Sequence, residues 1–464
     1  MSPTAEMSTT VLDSVACPQC RAATSARAAE ICCRACGQAY PRLGAIPILL
    51  KRPEEWLAIW RLQLEMLGQE GQEKLGEKVA ELQSPGTLPL VAARCRAMLE
   101  AAKDEANDVV AVLDPLVPKN PQPLSDTAMK TIESPLRRVQ HLCRDWGWEE
   151  GKSQENEHAI SALGDVIEGG SLGRVLVLGA GGCRLAYDLH RRFAPSETVV
   201  LDVDPLLLAG ACQVIRGKKV RLTETSISVN EADGVARVWE LEAPYGPIAE
   251  TEFHFVLADG LDPPFAPESF DTVVTPWFID IVPRDLRDFL GTLRALVRPG
   301  GRWINTGPLL YPREVPLPRR FTRDEIFELA ARAGFKLGKW RVESGSHFVA
   351  PSNGRGRVEW TLTFQATKTD APPADEALPP SWLILPFLPV PAFAGAPLFS
   401  HDNPLILAIV QSIDGRRSID DVAAALALQV AQAGFDPRDL REAIRHCLAA
   451  YHPACRAEMA APGL

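Results

Sequence analysis

Short apolar runs separated by amphipathic stretches fill the middle of the chain, and this alternation predicts an α/β domain with a mostly parallel sheet over residues 131–368. The clearest run, Val175-Leu176-Val177-Leu178, ends in Gly179-Ala180-Gly181-Gly182, and residues 184–192 then take up helical spacing. Further strands are predicted at 198–201, 253–257, 270–275 and 302–305, with helices at 284–296 and 322–333. Upstream, residues 53–130 are rich in Glu, Leu, Ala, Gln and Lys with apolar positions at helical spacing, interrupted at Pro85-Gly86, which predicts a helical connector. A Pro- and acid-rich linker at 369–380 leads into a helical or winged-helix-like module at 381–464, where Ser418 is expected to cap a helix with Asp421 at its third position. Residues 1–52 stand apart because of their cysteines.

Composition narrows the picture. With 46% hydrophobic and 23% charged residues, the 464-residue chain is neither disordered nor a membrane bundle. Its 49 basic and 59 acidic residues give a net charge of −10, the wrong sign for broad electrostatic attraction to nucleic acid, so no nucleic-acid partner is expected. The most apolar run, 382–399, contains Pro386, Pro389, Pro391 and Pro397, which a membrane helix would not readily accommodate. No basic flank followed by an apolar stretch opens the chain, so a cytoplasmic protein is expected.

Four of the eleven cysteines form two Cys-x-x-Cys clamps. Cys17 and Cys20, and Cys33 and Cys36, are separated by twelve residues, a spacing that lets two tight turns present four thiolates tetrahedrally to one zinc ion. Cys32 is a spare, because only Cys33 completes a Cys-x-x-Cys followed by glycine. Four thiolates leave no open coordination position, so the metal is expected to be structural. Tyr40-Pro41 and the run 46–50 are similar to the short strands of zinc-ribbon proteins that accompany or fuse to methyltransferases. That resemblance implies a docking role for the ribbon, and a protein partner through it or through the C-terminal module. If the ribbon can be removed without aggregation, the central domain is expected to keep its activity.

A strand feeding a glycine turn that opens a helix presents backbone N–H groups and a positive helix end to a ligand. Gly179, Ala180, Gly181 and Arg184 form this turn, and Arg184 replaces the third glycine of the dinucleotide pattern. Asp202 follows the second strand, 23 residues after Gly179, where a carboxylate can accept both ribose hydroxyls of a nucleoside. Asp204 better suits a helix cap. Replacing Asp202 by Ala is expected to weaken cofactor binding with the fold intact. Asp259-Gly260, the run 269–274 and the stretch 293–301 ending in Pro299-Gly300-Gly301 resemble class I S-adenosylmethionine-dependent methyltransferases, with a Rossmann-like sheet. The resemblance implies that Asp259 ends the third strand beside the adenine amino group.

The motif order is closer to one family. Arg144-Asp145-Trp146, Glu150-Gly151-Lys152, the Gly179-Ala180-Gly181 turn with Arg184-Leu185-Ala186, Phe278-Ile279-Asp280, Trp303-Ile304-Asn305 and Gly307-Pro308-Leu309-Leu310-Tyr311 resemble the carnosine N-methyltransferase family over about 135–345. The resemblance implies methyl transfer to an imidazole nitrogen of a histidine-containing small molecule or peptide, with Asp280 holding the imidazole and Tyr311 lining its pocket. The chain departs from the family at Cys183, in place of a third loop glycine, and at Pro312, in place of a histidine. Two other readings of the chain stay open at this point. One is transfer to a different O, S or N acceptor, and the other is a non-catalytic adaptor on the same fold. For Asp280 the bland reading is a cap on the helix that begins near Pro283.

Overall fold

The computed structural model describes residues 9–27, 30–81, 86–119, 134–148, 155–225, 234–282, 285–350, 356–371, 381–384, 386, 389–391, 404–432, 436 and 439–448. Glu150-Gly151-Lys152, Pro283 and most of the 369–380 linker lie outside them. Fourteen strands run in chain order among these residues. The first five are β1 (Thr24–Arg27), β2 (Glu30–Cys33), β3 (Ala39–Tyr40), β4 (Arg42–Leu43) and β5 (Ile46–Leu49). Then come β6 (Arg174–Leu178), β7 (Glu197–Asp202), β8 (Val220–Thr225), β9 (Ala236–Leu241) and β10 (Phe253–Ala258). The last four are β11 (Phe270–Pro276), β12 (Val297–Gly307), β13 (Phe335–His347) and β14 (Arg357–Lys368).

The central sheet has the order β13-β14-β12-β11-β6-β7-β10-β5-β4. Strands β5, β10, β7, β6, β11 and β12 run parallel, and β14 and β13 close the other side antiparallel. The parallel strands are almost wholly buried along their length because helices cover both faces, which is why their sequences read as continuous apolar runs. Strand β13 alternates exposed and half-buried positions instead, as a strand with one wet face does. Local caps fix the helix starts: Asp204 accepts Leu207 N–H at 3.0 Å before Pro205–Ile215, and Thr322 and Glu325 form a capping box before Arg323–Arg332. The connector is two long helices, Pro53–Glu81 and Pro89–Leu113. The second packs on a separate β8-β9 hairpin, where Asp108 accepts from Thr223 N–H and Oγ1–H, both at 2.7 Å. In the C-terminal module, Ser418 and Asp421 cap Ile419–Gln432 reciprocally, over a small apolar core of its own.

The ribbon is not an independent bead. Strands β1, β2 and β3 form its own sheet, but β5 pairs with β10 through Ile48 and Leu49 and so continues the central sheet. Ala16 N–H donates to Pro264 O at 2.9 Å, Ala266 N–H donates to Ser14 O at 2.8 Å, and Arg21 reaches Pro263 O and pairs with Asp262. Deleting residues 1–52 would therefore strip the edge of β10, which makes the condition on the expected activity, removal without aggregation, a demanding one. A parallel edge with apolar faces has unpaired backbone groups and nothing to cover them.

Ile48 is fully buried at this junction. Ile48→Ala should lower stability by about 2–5 kcal/mol, read as a fall in the melting temperature of the whole sheet. An unchanged melting curve would mean that the ribbon strand only rests on the domain.

Candidate active site

The C-terminal ends of β6, β7, β10 and β11 open into one cavity of about 1050 Å³, the place where open α/β sheets bind ligands. Gly179, Ala180, Gly181, Asp202, Asp259, Gly260 and Asp280 all line it. Their grouping follows from the parallel strand order, since each sits just past the end of a neighbouring strand.

The turn after β6 needs its glycines. Gly179 and Gly181 have φ of +66° and +55°, where a side chain is strained, and Cys183 adopts +63° without being glycine. A Cβ on Gly179 would lie 2.5 Å from the Phe278 ring, and one on Gly260 would lie 2.9 Å from the same ring. Phe278 is thus seated between the two loops. Asp202 stitches the first loop to the second strand: Gly181 N–H donates to its Oδ2 at 2.8 Å, and Asp204 N–H donates to its Oδ1 at 2.9 Å. Burial raises its pKa against these two N–H groups. Asp259 accepts Leu261 N–H at 2.8 Å and faces the cavity.

The side chain of Arg184 does not belong to the cavity lining. It is buried, pairs with Asp188 at 2.9 Å and donates to Asp145 O at 2.8 Å, which locks helix Arg184–Phe193 to helix Val139–Trp146. An arginine at the start of a helix, one turn ahead of an aspartate, satisfies itself locally. That second helix covers the glycine loop, with Trp146 Nε1–H on Gly182 O at 2.7 Å and the Asp145 carboxylate against Gly182. Arg144 forks onto Asp145 at 2.7 and 2.8 Å.

Asp280 is 2% exposed. Its Oδ2 accepts Leu310 N–H at 3.0 Å, while its Oδ1 is buried without a partner among the described residues. Burial, opposed by that N–H, raises its pKa above the usual carboxylate range. The helix-capping role falls to Asp285, which accepts Arg287 N–H at 3.0 Å at the start of Leu286–Leu296. Tyr311 stands beside the lining rather than in it, because the chain turns after β12 so that Leu310 faces the cavity. Burial pushes the Tyr311 hydroxyl up to about 12.

Several lining residues had no place in the sequence reading. Trp56 and Trp60 come from the connector helix, and His141, Glu155, His347 and Glu359 gather beyond Asp280. Trp277, at φ +45°, stacks on His347 and donates Nε1–H to Glu359 at 3.1 Å. Burial, reinforced by Arg144, lowers both His141 and His347 to about 3, so both are neutral imidazoles. One signal for this cluster was present in β14, where Val358 and Trp360 are exposed and Glu359 is buried. A strand that hides its acid and shows its tryptophan is holding that acid for a site.

In the ribbon, the sulfurs of Cys17, Cys20, Cys33 and Cys36 all lie within 4.8 Å of one another, with 3.7 Å between Cys17 and Cys36 and 3.3 Å between Cys20 and Cys33. Zn–S bonds of about 2.3 Å require sulfurs somewhat under 4 Å apart, so the donor set fits a zinc ion. The backbone N–H groups of Ala35 and Cys36 point at Cys33 Sγ, and Tyr40 Oη lies 2.9 Å from Cys17 Sγ. Cys32 is outside the cluster.

Residues 176–305 match the family model described as a methyltransferase domain, and residues 247–370 match the model described as carnosine N-methyltransferase. The two matches overlap on the central domain, which is similar to methyltransferase domains and, in its second half, to carnosine N-methyltransferase. A carnosine N-methyltransferase of Dictyostelium discoideum is 46% identical over 43 residues, 9% of this chain and 9% of that protein. The match therefore spans about a tenth of the curated relative's length. Among solved structures, a chain of the complex between the Haloferax volcanii Trm112 methyltransferase activator and a methyltransferase is 15% identical, with 50% of this chain and 95% of that one covered at a TM-score of 0.32. Haemonchus contortus phosphoethanolamine N-methyltransferase 2 is 14% identical, with 55% and 61% covered at 0.32. Among the described residues of this methyltransferase-domain chain, no helix is long and apolar enough to cross a membrane.

Because both Asp202 oxygens hold backbone N–H groups, Asp202→Ala should lower stability by about 1–3 kcal/mol. Asp202→Asn, which keeps one acceptor, should lose less. Thermal melting of the two variants without ligand checks the order, and equal stability of all three proteins would remove the stitching role.

Proposed function

We propose that the chain is an S-adenosylmethionine-dependent N-methyltransferase that methylates an imidazole nitrogen of a histidine-containing small molecule or peptide, with one structural zinc ion in its ribbon. The observation that carries the reading is Asp280 Oδ1, a buried carboxylate oxygen without a partner in the cavity that also holds the glycine loop. Such an oxygen is costly unless a ligand N–H meets it. The match of 247–370 to carnosine N-methyltransferase spans this residue and supports the same acceptor.

When bound, S-adenosylmethionine supplies a methyl group on a sulfonium. The Gly179-Ala180-Gly181 turn, Asp202, Asp259 and Gly260 would hold it, and Trp56 and Trp60 line the same cavity. A neutral imidazole already has one lone pair near pH 7, so no strong base is needed. Asp280 accepts the N–H of the other nitrogen, which fixes the tautomer, points the lone pair at the methyl carbon and supports the imidazolium that forms. Leu310 N–H holds the second carboxylate oxygen and so sets the direction of the first.

Asp280→Asn tests the reading. The amide oxygen can keep the Leu310 N–H while its NH2 group meets the imidazole with the wrong polarity, so turnover should fall at least about a hundredfold. Affinity for S-adenosylhomocysteine, measured by calorimetry, should stay within a factor of about two. A variant that still methylates histidine-containing dipeptides at the wild-type rate would exclude this role for Asp280.

For the metal, purified protein should contain about one zinc per chain, and Cys33→Ser with Cys36→Ser should remove it. Undiminished zinc in that double variant would place the ion elsewhere.

A further inference from the structure

Beyond Asp280 the same cavity holds a second acid with an open oxygen. Glu155 opens helix Glu155–Val166, and its side chain is 9% exposed. Its Oε1 accepts Val349 N–H at 3.0 Å, while Oε2 is buried with no hydrogen-bond partner among the described residues. The charged neighbours are already engaged: Arg357 pairs with Glu359, and Arg144 forks onto Asp145. Among the described residues, His347 Nδ1 lies 3.8 Å from Glu155 and 3.6 Å from Glu359. Burial keeps His347 neutral, so it offers Glu155 no positive charge.

Resting on the imidazole reading above, we infer that Glu155, with Glu359, Trp277 and Phe348 around it, forms a cation subsite that binds a free ammonium group on the acceptor. An ammonium brings three donors and no acceptor, which suits the open Glu155 Oε2, while both Glu359 oxygens are already engaged by Arg357 and Trp277 Nε1–H. It also suits the aromatic walls: Trp277 stacks on His347, and the Phe348 ring lies 5.0 Å from the same imidazole. Arg144 already lies over the Phe348 ring, 4.8 Å from its centroid, so Trp277 is the aromatic wall that bears on the subsite. The subsite narrows the acceptor class. Asp280 reads the imidazole and Glu155 reads an amine on the chain attached to it, so a free amine or an N-terminal histidine fits, and a histidine inside a polypeptide does not.

Histamine and N-acetylhistamine form a matched pair, each with the imidazole and only one with the ammonium. With the full chain saturated in S-adenosylhomocysteine, calorimetry should show histamine binding about tenfold or more tighter than N-acetylhistamine, the scale of one charge-assisted hydrogen bond. Glu155→Gln keeps an oxygen for Val349 N–H, and it should bring the two probes within about twofold while leaving N-acetylhistamine affinity unchanged. Glu155→Asp, with the charge retained, should restore part of the preference. Equal binding of the two probes by the wild type, or a preference that survives in Glu155→Gln, overturns the subsite. Methyl-transfer assays on the same probes separate the two readings. Transfer to both at equal rates leaves the imidazole site standing without the subsite. A Glu155-dependent preference with no transfer to either probe leaves the subsite standing for an amine of another kind.

Discussion

The ring of Phe278 occupies the space that side chains on Gly179 and Gly260 would fill, and both ends of the cavity take their positions from that fit. One face of the ring sets how closely the turn after β6 approaches the loop after β10. The chain that bears it runs directly into Ile279 and Asp280, so the seating of one aromatic residue also fixes where the buried carboxylate stands. Close packing leaves little freedom here, because interiors tolerate few voids and few overlaps. Trp277, immediately before, is held at φ +45° by its N–H on Thr306 O at 2.7 Å and its indole N–H on Glu359. Strain of this kind persists only where the surroundings over-determine it.

The ribbon belongs to the same mechanical unit. Its tail strand β5 extends the central sheet at β10, and its first knuckle grips residues 262–266, the loop that follows Asp259 and Gly260. The four-cysteine cluster thereby bears on a loop of the cavity some residues away, through Arg21 and the backbone bonds of Ser14 and Ala16. Lys51 and Arg52, just after β5, reach Glu442 and Asp439 of the C-terminal module, so the short stretch between ribbon and connector touches three parts of the molecule.

The acids of the cavity sort into two kinds. Asp145 is forked by Arg144, Glu359 is paired with Arg357, and Asp202 is spent on two backbone N–H groups. Asp280 and Glu155 each give one oxygen to a backbone N–H and keep the other buried and open. Burying an anionic oxygen without a donor destabilises a protein by an amount that selection for stability alone would not retain. The proposed acceptor site rests on those two atoms.

Much of this was legible along the chain. Continuous apolar runs ending in glycine or aspartate fixed the parallel strands, and Asp204, Ser418 and Asp421 announced the caps they form, because such signals act over three or four residues. The cysteine spacing marked the four sulfurs that gather and left Cys32 aside. Long-range pairing was not legible in the same way. Nothing local says that Ile48 will lie beside Leu257, that Arg184 will turn to Asp188 and Asp145 instead of a ligand, or that Leu310 will face the cavity ahead of Tyr311. The cluster of Glu155, His347 and Glu359 joins a helix start to two strands about 200 residues later, and its members are ordinary charged residues in sequence. What the sequence by itself determined was the set of elements and the residues at their ends, since those depend on neighbours a few positions away. The tertiary structure decided which of those ends share a cavity, and which buried oxygens are left open there, because both depend on contacts between residues far apart in the chain.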